Sequence, residues 1–237
     1  MQEITLKPFF TYYGGKYRIA PKYPFPTHSK IVEPFAGAAG YALRYPDREI
    51  LLVDKNETIC GVWDYLIHVS SDEILKLPLL HAGHCIDDFQ ISQEAKALIG
   101  FWLNKGSTSP GKIPSKWMRD GLRPNSFWGE VIRFRIANQI ESIRHWKVYC
   151  NSYSNIENVN ATWFIDPPYK GAGKHYKDGS KNINYAHLSE WCKDRIGQVI
   201  VCENEGADWL PFTGFCDAKA SQAKYGGKIS KEVIWTK

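Results

Sequence analysis

Hydrophobic positions along the chain follow two periods, and the order in which the periods alternate carries most of the fold. "SKIVEPF" and "REILLVD" are short apolar runs bounded by turn residues, the pattern of buried strands. The first is followed by "GAAGYALRY", read as a Gly/Ala-rich turn and a helix. The second leads into "NETICGVWDYLIHV", where Ile59, Val62, Trp63, Leu66 and Ile67 recur on one helical face. Strand, helix, strand, helix with buried strands predicts a parallel sheet covered by helices.

The middle of the chain reads differently. "DEILKLP" and "ISQEAKALIGFWLN" predict helices. "KGSTSPGKIPSKWMRDGLRPNS" is rich in Gly, Pro and Ser, and a loop of that length is usually functional or disordered. Ser126 is placed to cap a helix over "FWGEVIRFRIANQIESIRHW". There Trp128, Ile132, Ile136, Ile140 and Ile143 form an apolar stripe expected to be core contact, with Arg133, Arg135 and Arg144 off it and freer to meet a partner. Alternation then returns. "WKVYCNS", "ATWFIDPP" and "GQVIVCEN" predict strands, "NYAHLSEWCKDR" a helix, and "GFCDAKAS" with "KEVIWTK" a closing antiparallel pair. The expected organisation is one α/β domain, residues 1–70 and 145–237, interrupted by an insertion over 71–144.

Composition narrows this picture. With 237 residues and 43% hydrophobic content the chain can bury a large core. No apolar run approaches the ~18–20 residues of a membrane helix, and "MQEITLKPFF" lacks a signal-peptide layout. Six cysteines occur without a C-x-x-C pair, so neither a zinc site nor a disulfide framework is indicated. The expectation is a cytoplasmic protein, a monomer with a weak dimer as the alternative, and with no membrane and no metal partner. The net charge is +5, and its distribution is uneven. Residues 104–147 hold nine bases against three acids, interleaved with Trp117, Phe127, Trp128, Phe134 and Trp146. Bases with aromatics suit a polyanion, because ammonium and guanidinium groups neutralise phosphates and rings stack on bases. Lys105, Lys112, Lys116, Arg119, Arg123 and Arg133 are the candidate contacts. The competing reading is a solvated face over core rings.

Three predicted strands end in or run into a carboxylate: Glu33, Asp54 and Asp166. In an open α/β sheet ligands bind beyond those ends. "PFAGAAG" after Glu33 lets a ligand approach the backbone at Gly37, and Asp54 is placed to accept hydrogen bonds from ribose hydroxyls. No G-x-x-x-x-G-K-[ST] loop is present, and an acid at the first turn disfavours a pyrophosphate. A cationic adenosyl ligand, S-adenosyl-L-methionine (AdoMet), fits better than NAD or ATP. In "TYYGGKYR", Gly14, Gly15 and Lys16 can bind an anion such as a methionine carboxylate; an ordinary turn with a surface lysine is the plain alternative.

The pieces "YYGGK", "EPFAGAAG", "DKN" at Asp54 and "DPPY" at Asp166–Tyr169, in that order, resemble the Dam-like DNA adenine-N6 methyltransferases of bacteria and phages. "HLSEWC", "VIVCEN" and "KEVIW" look similar too, so the resemblance covers most of the chain outside the insertion. In the F-x-G-x-G turn common in the family, Phe35 and Gly37 match, but Ala39 stands at the second glycine. Tyr12 occupies a place often held by Trp, where its ring can pack against the adenosyl or sulfonium group. The resemblance implies a Rossmann-like AdoMet-dependent methyltransferase sheet, mostly parallel with a closing antiparallel strand. It also implies an inserted, mainly helical DNA-recognition subdomain and double-stranded DNA as partner.

An exocyclic amino group is a poor nucleophile because its lone pair is delocalised into the ring. The resemblance implies that Asp166 and the Pro167 carbonyl accept the amino hydrogens, that Pro167 and Pro168 fix the backbone, and that Tyr169 stacks on a base flipped out of the duplex. Lys170, Lys174, Lys177 and Lys181 are expected on a loop that orders over the base or backbone, with Lys174 as a DNA contact; a solvated loop is the plain alternative. Cytosine-N4 methylation remains an alternative, as does a non-catalytic AdoMet-responsive nucleic-acid-binding module.

Overall fold

A computed structural model describes residues 5–121, 125–171, 180–219 and 229–237. The strands are β1 (Lys30–Glu33), β2 (Glu49–Asp54), β3 (Lys147–Cys150), β4 (Ala161–Ile165), β5 (Gly197–Asn204), β6 (Thr213–Lys219) and β7 (Ile229–Thr236). They form one sheet in the order β3-β2-β1-β4-β5-β7-β6. The β3-β2-β1-β4-β5 pairs are parallel. β7 runs antiparallel to both β5 and β6. The protein is therefore α/β with a seven-stranded, mostly parallel mixed sheet, compatible with a Rossmann-like fold. The expected antiparallel pair is present, and β7 fits between β5 and β6.

The helices are α1 (Glu57–His68), α2 (Ser71–Lys76), α3 (Gln93–Leu103), α4 (Lys116–Arg119), α5 (Glu130–Gln139) and α6 (Tyr185–Asp194). Side-chain caps explain several starts. Asn56 accepts from the Thr58 N–H, Ser92 from Ala95 and Asn184 from His187. Ser70 and Glu73 form a reciprocal capping box at α2.

Alternate residues of the central strands serve two cores. Ile31, Phe164 and Ile200 face one side, with Phe10, Trp63 and Phe101; Val32, Trp163 and Val199 face the other, with Leu188 and Trp191 of α6. The first core also takes Leu98, Trp102, Trp128, Ile132, Ile136, Ile140 and Ile143 from the stretch 71–144. That stretch thus shares a core with the N-terminal segment and α1. The apolar stripe is buried throughout, as its spacing predicts.

Two local expectations are corrected. "GAAGYALRY" forms no α-helix, only a 3-10 turn at Ala42–Arg44. Gly37 and Ala39 adopt left-handed backbone, at φ 46° and 50°, which interrupts a right-handed helix. Ser126 does not cap a helix. α5 begins after Gly129, in extended backbone, and gives way to a 3-10 turn at Ile140–Ile143. Ahead of it Trp128 is buried and donates its indole N–H to the Pro78 carbonyl (2.7 Å). The long Gly/Pro/Ser segment also contains α4, capped by Ser115.

Candidate functional site

Strand order decides where a site can form. From β1 the chain moves outward to β2, and from β4 outward to β5, so the sheet reverses between β1 and β4. Ligands of open α/β sheets bind at such a reversal, beyond the strand C-termini. Glu33 ends β1 and Asp166 follows β4 directly.

A cleft opens there, enclosing about 990 Å³ when the open space at its mouth is counted. Tyr12, Gly14, Gly15, Lys16, Glu33, Phe35, Gly37, Asp54 and Asp166 all line it. The structure thus brings together every residue that the sequence assigns to cofactor binding, from four separate stretches of the chain. Pro168 lines the cleft as well. Pro167 is buried, and Tyr169 is half-buried beside the cleft, not in its wall.

The turn after β1 is shaped by close approach. A Cβ on Gly40 would lie 2.6 Å from the Tyr17 backbone nitrogen, and one on Gly37 would lie 3.2 Å from the Tyr12 ring. The "YYGGK" segment therefore lies directly on the "GAAG" turn. Asp54 is oriented by two backbone donors, Gly37 N–H (3.0 Å) and Asn56 N–H (2.9 Å). The Trp63 indole N–H holds the Gly37 carbonyl (2.8 Å).

Glu33 takes a different part from the one its position predicts. Its carboxylate is buried and accepts the Ala42 N–H (2.6 Å), so it braces the turn. Burial pushes its carboxyl up to about 8, against the pull of the Ala42 N–H.

Lys16 is also directed elsewhere. Its ammonium is 3.0 Å from Asp166 Oδ1, donates to the Gly14 carbonyl (3.0 Å), and lies 4.5 Å from the centre of the Tyr169 ring. The Asp166 contact is an ion pair, not a well-directed hydrogen bond, since Oδ1 has no hydrogen-bond partner. Burial pulls the Lys16 ammonium down, but Asp166 and Glu232 outweigh it and hold its pKa raised. Burial pushes Asp166 up to about 6, although Lys16 opposes this. The Asp166 side chain is 20% exposed, and it lines the cleft.

The "DPPY" segment is held from several sides. Tyr185 OH donates to the Pro168 carbonyl. Tyr169 OH donates to Glu232 Oε2 (2.5 Å). The Lys170 N–H donates to Glu203 Oε2 (3.1 Å), and the Lys170 ammonium pairs with Asp208 (2.6 Å). Burial and desolvation raise the Tyr169 phenol well above its ordinary value.

Other parts of the cleft were assigned no role from the sequence, although Lys55 and Asn56 belong to the "DKN" piece. Lys55 and Asn56 line it beside Asp54, and Tyr153, Asn182 and Ile183 come from later segments. The Tyr153 ring packs against Phe35, with centroids 5.3 Å apart, and its hydroxyl meets His187 Nδ1 (2.8 Å). An aromatic soon after a short edge strand was the one available hint.

The basic stretch divides in two. Lys112, Lys116 and Arg119 are exposed, with Lys112 paired to Asp87 (2.6 Å) and Arg119 donating to the Pro114 carbonyl (3.2 Å). Lys105 lies over the Trp102 and Phe127 rings. Arg133, Arg135 and Arg144 are not free for a partner. Arg133 donates to the Leu77 carbonyl (2.7 Å) and Arg135 to that of Pro8 (3.0 Å). Arg144 donates to the carbonyls of Ile67 (2.6 Å) and Val69 (2.5 Å) at the end of α1. A guanidinium satisfies carbonyls left open at helix and loop ends, which accounts for their partial burial. Arg123, Lys174 and Lys177 lie outside the described residues.

Among the described residues no helix is long and apolar enough to cross a membrane. No group of three or more His, Cys, Asp or Glu among them is placed to hold a metal ion. A scan against models of known protein families and a search of curated proteins find no match to this chain.

Proposed function

We propose that this protein is an AdoMet-dependent DNA methyltransferase that modifies the N6 amino group of an adenine flipped out of the duplex. The observation that carries the reading is the convergence at the sheet reversal. A glycine turn, an oriented strand-end carboxylate and the Asp-Pro-Pro-Tyr segment share one cleft.

The residues fit AdoMet. Gly37 puts only backbone on the cleft wall, and the Asp54 carboxylate, oriented by the Gly37 and Asn56 N–H groups, has the acceptor capacity that ribose hydroxyls require. The Asp166 carboxylate and the Tyr12 and Phe35 rings on the cleft wall suit a cation. When bound, AdoMet supplies an electrophilic methyl group on a sulfonium.

The chain's own residues then act on the amino group. Asp166 accepts one of its hydrogens and draws the nitrogen toward tetrahedral geometry, so that the lone pair leaves conjugation with the ring. Because the Pro168 carbonyl is taken by Tyr185, Pro167 is the natural second acceptor. Fixed acceptors of this kind act through orientation and preorganised charge. Lys16 must yield Asp166 to the amino group, since both compete for the same carboxylate. Lys112, Lys116 and Arg119, exposed on the stretch 71–144, supply phosphate contacts; the inserted recognition region is part of this proposal.

The test is transfer of labelled methyl from AdoMet to unmethylated DNA, with modified bases mapped across the genome of a methylation-free host. N6-methyladenine is expected, and Asp166→Ala is expected to abolish transfer with the circular-dichroism spectrum unchanged. N4-methylcytosine at the mapped sites would move the reading to cytosine. Full activity of Asp166→Ala would overturn the assigned chemistry.

A further inference from the structure

Glu203 ends the buried part of β5 and has 1% of its surface exposed. It is no part of the cleft wall. A carboxylate taken out of water needs donors, and it has three. Oε2 accepts the Lys170 N–H (3.1 Å) and the Trp209 indole N–H (3.0 Å), while Oε1 accepts the Asn204 N–H (3.0 Å). One of these donors belongs to the residue directly after Asp-Pro-Pro-Tyr. The Pro168 carbonyl, on the other side of Tyr169, is held by Tyr185. Tyr169 is therefore fixed by its preceding carbonyl, its following N–H and its own hydroxyl on Glu232. A strand-end acid facing away from a ligand has no binding role, but this one holds the exit of the reactive loop.

We propose that Glu203 is a positioning residue of the methyl-transfer site, which holds the backbone after Tyr169 so that Asp166 and the Pro167 carbonyl stay aimed at one amino group. The inference rests on the methyltransferase reading and adds to it a residue that touches neither cofactor nor base.

The discriminating variant is Glu203→Gln. It keeps shape and volume but has one acceptor oxygen, so its amide nitrogen must face an N–H donor on one side or the other. The expected result is a kcat lower by about 10- to 100-fold, as small displacements of a reacting group produce. The KM for AdoMet is expected to stay within about twofold, because the cofactor residues lie elsewhere. Trp209→Phe removes one donor and leaves the Lys170 tether, so its kcat is expected to stay within about twofold of wild type. A merely structural role for this cluster would lower both variants together and raise KM. A measurement on the unaltered protein guards against a misfolded variant: the Lys170 amide should exchange with deuterium at least about 100-fold more slowly than an open amide. Wild-type-like kcat in a folded Glu203→Gln, or free exchange at Lys170 in wild type, overturns the proposal. A wild-type protein that methylates no DNA is a different result, and it removes the reading on which the proposal rests.

Discussion

At the scale of single residues, Asp166 stands between burial, which pushes its carboxyl up, and Lys16, which pulls it down; the balance leaves it near 6 against an ordinary 3.8. The proposed chemistry needs the ionised form. For the proposed reaction, kcat/KM is therefore expected to fall as pH drops through about 6. Lys16→Met removes the opposing ammonium, so the acid limb should move to higher pH, which a pH–rate series on both proteins will read. Stability has the opposite sign. The folded state holds the Asp166 proton over the window from the ordinary 3.8 to about 6 where the unfolded chain has lost it, so this group's contribution decreases as pH rises through that window. Ala39 shows what sequence could and could not convey. It stands where the F-x-G-x-G turn that the sequence resembles has its second glycine, and it adopts a glycine-like backbone at φ 50°, at a cost of about 1–2 kcal/mol for a residue with a Cβ. The departure was visible from the motif, whereas its conformational cost was not.

At the scale of elements, charge counts alone were misleading. Nine bases against three acids mark residues 104–147, but a count does not record which guanidinium finds a carbonyl. Arg144, three residues before β3, reaches the open carbonyls at the end of α1, a long-range pairing with no local pattern. Arg144→Met is expected to cost about 1.5–3 kcal/mol in urea unfolding, the worth of hydrogen bonds to a charged group, with DNA affinity unchanged. Lys116→Ala with Arg119→Ala should do the reverse. It should weaken DNA binding, flatten its salt dependence by roughly one unit per lost phosphate contact, and leave the urea midpoint in place. Helix boundaries followed the same logic. Caps formed from adjacent residues, as at Asn56 and Asn184, follow local rules. The start of α5 depends on where Trp128 is buried, and Trp128 answers to Pro78.

At the scale of the whole molecule, strand identity, the parallel core and the antiparallel closing pair were legible because each rests on local periodicity. The sheet order and the reversal between β1 and β4 bring the residues expected to bind a cofactor into one cleft. The expected division of the chain was less informative about packing. Leu98, Trp102 and Ile136 share a buried cluster with Phe9, Phe10 and Trp63, so the stretch 71–144 has no core of its own to fold around. Urea unfolding is accordingly expected to give one transition, coincident by tryptophan fluorescence and far-UV circular dichroism. A fragment containing only 71–144 should show no cooperative transition, and a folded fragment would refute this.

β7 follows the other strands in the chain but lies between two of them, and it carries Glu232, which holds the Tyr169 hydroxyl. Each of its pairings closes a loop in the chain, and loop closure must precede the contacts that reward it. Until β7 has paired with β5, Tyr169 has no Glu232 carboxylate to receive its hydroxyl. Completion of the Asp-Pro-Pro-Tyr segment is thus tied to the placing of β7 in the sheet, so a chain without that pairing carries the sequence motif without its finished geometry.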